Sequence, residues 1–249
     1  MIENEVNVLL TNEGETSGFN KLKEHGYSVY HFPMIRTEPN PNAEPFKVEA
    51  YDYFIFTSKN SVRHFFGFPF INSEVLNKKA ICIGKKTEEK INEYGLESAY
   101  TAKRSYSYVL GNELEENGLI NSKKVILVQG NLSKNILSEN LKKFCDLTKF
   151  VAYNTVLIES KNNKLVELIN SKNLHAVFTS PSGFKSFEKL YDTNLVKIIS
   201  IGESTSGYIR ECGFSPIITS RMQSYDGVAD SIISHFNSKQ WVKKLDWGD

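Results

Sequence analysis

The feature that most constrains this chain is a pattern carried twice. Phe56-Thr57-Ser58-Lys59-Asn60 follows the apolar run Tyr53, Phe54, Ile55 and precedes apolar residues at helical spacing, Val62, Phe65 and Phe66. Phe178-Thr179-Ser180-Pro181-Ser182-Gly183 follows Ala176-Val177 and precedes Phe184, Phe187 and Leu190 in the same way. Thr57 and Thr179 lie 122 positions apart. Ile83-Gly84-Lys85-Lys86-Thr87 and Ile201-Gly202-Glu203-Ser204-Thr205 lie 118 apart, each closed at the same distance by a glycine, Gly95 or Gly213. Ser105-Tyr106 is echoed by Ser224-Tyr225, and the apolar strand Val125–Val128 by Val8-Leu9-Leu10. An offset held near 118 over so many elements means two copies of one α/β unit.

Each copy alternates strands with helices, which implies parallel sheets with helices on both faces. In such sheets ligands bind beyond the carboxyl ends of the strands, where both the Phe-Thr-Ser and the Ile-Gly turns fall. Pro181 disfavours helical geometry at Ser180, so the strand ends there, and Ser182 is expected to cap the following helix. Backbone N–H groups at such junctions converge on one spot and suit an anion. If the copies face each other, four turns line one cleft.

Length agrees with two domains of ordinary size in 249 residues. A net charge of +1 with 40% hydrophobic residues describes a soluble globular protein, and argues against a nucleic-acid-binding one. No apolar run approaches the ~20 residues that span a bilayer. Met1-Ile2-Glu3-Asn4-Glu5 lacks the basic and apolar regions of a signal peptide. Cys82, Cys145 and Cys212 lie far apart among apolar neighbours and read as buried thiols of a reducing cytoplasm.

In chain order, Val6–Leu10 reads as a strand, Phe19 and Leu22 mark a helix ended by Gly26, and Val29–Phe32 is the next strand. Pro33–Pro45 carries four prolines among polar residues and is a first connector. Strands at Tyr53–Phe56 and Ala80–Ile83 follow, with helices after Asn60, over Thr87–Tyr94, and through Tyr108, Leu110 and Leu114 to Gly118. Val125–Val128 leads into a helix with Leu137, Leu141 and Phe144, and Phe150–Ile158 is an extended second connector. Strands at Ile198–Ile201 and Ile217-Ile218 and a helix with Val228, Ile232 and Phe236 complete the second copy. Asn237–Asp249 reads as a partly frayed tail.

The chemistry that is absent narrows the function. There is no G-x-G-x-x-G and no P-loop, no C-x-x-C, no G-x-S-x-G, and no metal-ligand spacing among the five histidines. Hydroxyls, amides and helix N-termini are what the turns offer, so no cofactor is expected. By residue type these hydroxyls serve as helix caps as well as ligands, and Gly84 and Gly202 are expected to meet the demands of turn geometry.

Phe178-Thr179-Ser180-Pro181-Ser182-Gly183, Ile201-Gly202-Glu203-Ser204-Thr205, Gly130–Leu137 and Val151-Ala152-Tyr153-Asn154-Thr155-Val156 together resemble the uroporphyrinogen-III synthase family, in the family's order and to about Phe236. Lys59-Asn60 stands where the family often has Pro and a polar residue, and Gln129-Gly130 where many members have Arg-Gly. The resemblance implies two similar α/β lobes, each a parallel sheet flanked by helices, joined by a two-stranded linker. One lobe is then 1–34 with 158–249, the other 39–150, and the linker strands 35–38 and 151–157.

It implies a cyclising lyase of tetrapyrrole (haem) biosynthesis. The reaction converts hydroxymethylbilane, a flexible linear tetrapyrrole polycarboxylate, with inversion of the last ring and loss of water. Carried onto this sequence, substrate-binding residues are Thr57, Ser58, Asn60 and Thr87 from the first copy. The second copy adds Ser180, Ser182, Gly183, Ser204 and Thr205, with Lys197 from the family match alone. Tyr153, on the second connector where the family has a tyrosine facing the cleft, is the expected catalytic residue. A cytoplasmic location and hydroxymethylbilane synthase as a protein partner come with the resemblance. The residues by themselves leave open a non-catalytic two-lobed protein that closes on a small anionic metabolite.

Overall fold

A computed structural model describes residues 6–104 and 106–245, with side chains described as far as 237 at the C-terminal end. Ser105 of the repeat, the stretch Met1–Glu5 and the end of the tail lie outside the described residues.

The chain divides into a discontinuous unit, residues 1–36 with 156–249, and a continuous unit, residues 37–155. In order the elements are β1 (Asn7–Leu10), α1 (Asn20–Glu24), β2 (Ser28–His31), β3 (Ile35–Pro39), β4 (Tyr53–Phe56), α2 (Lys59–Phe65) and β5 (Lys79–Cys82). Next come α3 (Lys85–Asn92), β6 (Ser98–Thr101), α4 (Ser107–Asn117), β7 (Lys124–Gly130), α5 (Ile136–Leu141) and β8 (Asp146–Leu157). The remainder is α6 (Asn163–Ser171), β9 (Leu174–Phe178), α7 (Pro181–Leu190), β10 (Val196–Ser200), α8 (Glu203–Glu211), β11 (Ile218–Thr219) and α9 (Tyr225–Leu245).

The two sheets explain the repeat. Strand order is β11-β10-β9-β1-β2 in one and β6-β5-β4-β7-β8-β3 in the other. β9 therefore holds the place of β4, β10 that of β5, β11 that of β6, and β1 that of β7. The N-terminal β1-α1-β2 segment completes the sheet begun by the C-terminal half. These pairings are parallel, as in Leu10↔Val177 and Phe56↔Val128. β3 differs: Asn40 N–H donates to Ala152 O and Ile158 N–H to Met34 O, so it runs antiparallel to the end of β8.

The central strands are buried on both faces, which is why they read as unbroken apolar runs. Alternate residues of β4 serve opposite cores. Phe54 and Phe56 pack with Val62 and Phe65 of α2 and Ile91 of α3, while Tyr53 and Ile55 pack with Leu110 and Leu114 of α4 and Leu137 and Leu141 of α5. The other sheet repeats the arrangement. Ala176 and Phe178 face α6, α7 and α8 through Leu165, Phe184, Phe187 and Ile209. Val8, Leu10 and Val177 face α1 and α9 through Leu22, Val228 and Ile232. Each fully buried side chain of this size contributes about 1.5–3 kcal/mol.

In the proline-rich connector, β3 lies at a sheet edge and Pro39 only closes it. Other local expectations change. β6 and α6 join the list of elements. Tyr108 is exposed on α4 while Leu110 and Leu114 are buried. The tail is not frayed at Asn237: the backbone of α9 continues to Leu245, since no Gly or Pro interrupts the stretch.

Candidate active site

The turns at the carboxyl ends of β4 and β9 are built alike. Ser58 has extended backbone (φ −169°, ψ 164°), and its Oγ accepts from Ser61 N–H at 3.0 Å. Ser61 Oγ in turn accepts from Ser58 N–H at 3.1 Å, closing a reciprocal cap. Ser180 has the same geometry (φ −160°, ψ 155°), and its Oγ accepts from Gly183 N–H at 3.1 Å with Pro181 in the first helical position. Ser180, and not Ser182, therefore caps α7. Once Pro181 forces Ser180 into extended backbone, Ser180 is the last residue outside the helix, which is where a cap must sit. Ser182 Oγ lies 3.1 Å from Ser180 Oγ. Thr57 Oγ1 donates to Val128 O at 3.1 Å, tying the turn to β7. Asn60 is half-buried in the first turn of α2.

At the second pair of turns, Gly84 and Gly202 have φ of 176° and 172°, extended backbone open to any residue. Turn geometry is therefore not the reason for glycine. At Gly202 the reason is space, since a Cβ would lie 2.7 Å from Gln223 Cγ. Thr87 and Thr205 are only 4% and 3% exposed, within the first turns of α3 and α8, whereas Ser204 is exposed. Beneath α8, Ser206 Oγ donates to Ser200 Oγ at 2.8 Å and lies 2.7 Å from Thr219 Oγ1. Lys197 is exposed near the amino end of β10, at the end of the sheet away from these turns. It does not join the hydroxyl group.

Tyr153, on β8, sits within the continuous unit beside the cap of α2. Its hydroxyl is 3.4 Å from Ser58 Oγ. Its ring lies so close to Gly130 of β7 that a Cβ there would come within 2.5 Å of Cζ. His64 of α2 stacks on it, with centroids 5.3 Å apart and planes 23° from parallel. His64 Nε2 lies 3.0 Å from Thr37 Oγ1 and 3.2 Å from Arg63 Nη2, and Arg63 Nη2 donates to Thr37 Oγ1 at 2.6 Å. Asn131, after β7, fixes the same strand by donating its N–H to Tyr153 O at 3.0 Å and accepting Thr155 N–H at 2.9 Å.

The continuous unit thus brings Thr57, Ser58, Asn60 and Tyr153 to one helix start, with Thr87 inside the neighbouring one. In the other unit Ser180, Ser182 and Gly183 share the start of α7, and Ser204 and Thr205 that of α8. His64, Thr37 and Arg63 were not marked by sequence. None belongs to a motif, and their contacts with Tyr153 or each other depend on the pairing of distant strands.

Among the described residues no cluster of His, Cys, Asp and Glu forms a metal-ligand set. Cys82 is buried, and burial pushes its thiol up to about 12, so it stays protonated and unreactive at neutral pH. Cys145 and Cys212 are half-buried, and burial pushes Cys145 up to about 11.

The sequence model of the uroporphyrinogen-III synthase (HemD) family, HEM4, matches residues 19–230. The chain belongs to this family. It is an enzyme of haem biosynthesis, a cyclising lyase acting on a small-molecule tetrapyrrole. A uroporphyrinogen-III synthetase from Helicobacter pylori superposes with a TM-score of 0.68 at 18% identity, over 92% of this chain and 99% of that one. A mutant uroporphyrinogen III synthase from Thermus thermophilus superposes at 0.56 and 16% identity, over 94% and 99%. At these identities the structures show a shared fold of two sheets flanked by helices. No curated protein matches the chain by sequence. No helix among the described residues is long and apolar enough to cross a membrane.

Proposed function

We propose that the substrate is hydroxymethylbilane and that Tyr153 donates the proton on which its cyclisation begins. The observation that carries this reading is the Tyr153 hydroxyl at 3.4 Å from the Ser58 cap of α2, at the carboxyl end of the β4 strand. The terminal hydroxymethyl group leaves as water once its oxygen is protonated, and the electron pair of the pyrrole nitrogen forms the azafulvene. The substituted carbon of the last pyrrole then attacks that centre, and a spiro intermediate opens with the ring inverted. A phenol, with an ordinary pKa of about 10, is protonated at neutral pH and can donate.

Most of the task is positioning, because the free chain cyclises to the wrong isomer unaided. Hydroxyls and N–H groups at the starts of α2, α3, α7 and α8 supply donors for carboxylates. Ser58, Asn60, Ser180, Ser182, Gly183 and Ser204 are the nearest to hand, with Thr57, Thr87 and Thr205 shaping the turns beneath. Lys197, at the other end of the sheet, has no part in this group. No cofactor enters the reaction, which is redox-neutral. A cytoplasmic enzyme receiving its substrate from hydroxymethylbilane synthase fits the same reading.

Tyr153→Phe keeps the ring and removes the donor. Turnover of hydroxymethylbilane should fall by ~10²–10⁴-fold, with thermal stability nearly unchanged. Normal turnover to the III isomer in that variant would assign the proton to another group.

A further inference from the structure

Tyr153 is held by its surroundings at more than its backbone. α2 reaches it twice, through the Ser58 Oγ at its cap and through the His64 ring further along the same helix. We propose that His64 is a positioning residue, whose stacked ring fixes the Tyr153 ring so that its hydroxyl stays at the start of α2. This rests on the reading of Tyr153 as the proton donor.

The geometry around the imidazole supports a rigid support and not a casual contact. His64 is only 8% exposed, and its plane lies within 23° of the tyrosine's. Its Nε2 is anchored on two sides, by Thr37 of β3 and by the guanidinium of Arg63. An Arg N–H directed at Nε2 uses that nitrogen as its acceptor, which fixes the orientation of the ring. Thr37 Oγ1 accepts from Arg63, which ties β3 to the same group. Gly130 bounds the tyrosine ring as well, so loss of His64 frees one contact of a confined ring. A ring left to rotate spends less time in the productive geometry, and a lapse of about an ångström is costly in a reaction governed by orientation.

The test uses the full-length protein with tyrosine carbon-13 labelled at Cζ, in which the Tyr153 resonance is identified by its loss in Tyr153→Phe. His64→Ala should shift or broaden that resonance, and His64→Phe, which restores a stacked ring, should return it close to its original position. Turnover in His64→Ala should fall about 3- to 10-fold, in kcat with KM within twofold, the size expected of one aromatic contact. In a Tyr153→Phe background the same change should cost nothing further. An unmoved Tyr153 resonance in folded His64→Ala overturns the proposal, as does an equal loss of turnover in both backgrounds. If Tyr153→Phe itself turns over normally, the proton-donor reading fails, while the resonance still decides whether His64 holds the ring.

Discussion

At the scale of single residues, capping and ligand binding do not compete at these turns. Ser58 and Ser180 each accept one backbone N–H through Oγ, and a hydroxyl that accepts still has its own proton to donate. A carboxylate needs donors, so the residue that starts the helix can also offer a bond to substrate. The two serines after β9 should nevertheless behave differently on substitution. Ser180→Ala removes the cap and should cost about 0.5–2 kcal/mol of stability, whereas Ser182→Ala should stay within ~0.5 kcal/mol. Denaturant midpoints of the two variants measure this directly. Equal losses would mean that both serines carry the helix start.

At the scale of elements, the closest approach of consequence is β7 against β8, where Gly130 gives up a side chain so that Tyr153 can lie on the backbone. Gly130→Ala forces the ring to move, with an expected loss of about 1–3 kcal/mol and of turnover. Adding Tyr153→Ala relieves the clash, so the double variant should be more stable than the sum of the two single losses implies, by thermal unfolding. Much of this layer was legible in the chain. β4 was read at its observed bounds because four buried residues in a row leave no other choice, and the repeat located the turns at strand ends. β6 escaped because Ser98-Ala99-Tyr100-Thr101 is a half-exposed edge strand with little apolar signal. α6 carries a short signal of its own, Leu165 and Ile169 at helical spacing. The depth of Thr87 and Thr205 was hidden, since a threonine in a first turn looks the same whether its helix start is open or covered. His64 was hidden for a different reason: its partner is 89 residues away and no local pattern records a stacking contact.

At the scale of the whole molecule, the two units differ in how their sheets are completed. The continuous unit contains every strand between β4 and β7 and should fold when residues 37–155 are made alone, giving a cooperative unfolding transition and dispersed amide resonances. Residues 156–249 alone should remain unfolded, because β9 would lose β1, its neighbour in the middle of the sheet. A folded 156–249 fragment would show that β1 is dispensable. The same interleaving sets a timetable for synthesis. β1 is made before its partner β9, which is encoded 167 residues later, so at translation speeds of about 5–20 residues per second it waits roughly ten to thirty seconds. During that interval one whole unit has been made and can close, while Val8, Leu9 and Leu10 have no sheet to enter. β1 is thus the strand with most need of a chaperone during synthesis, although in the finished protein it is among the most deeply covered.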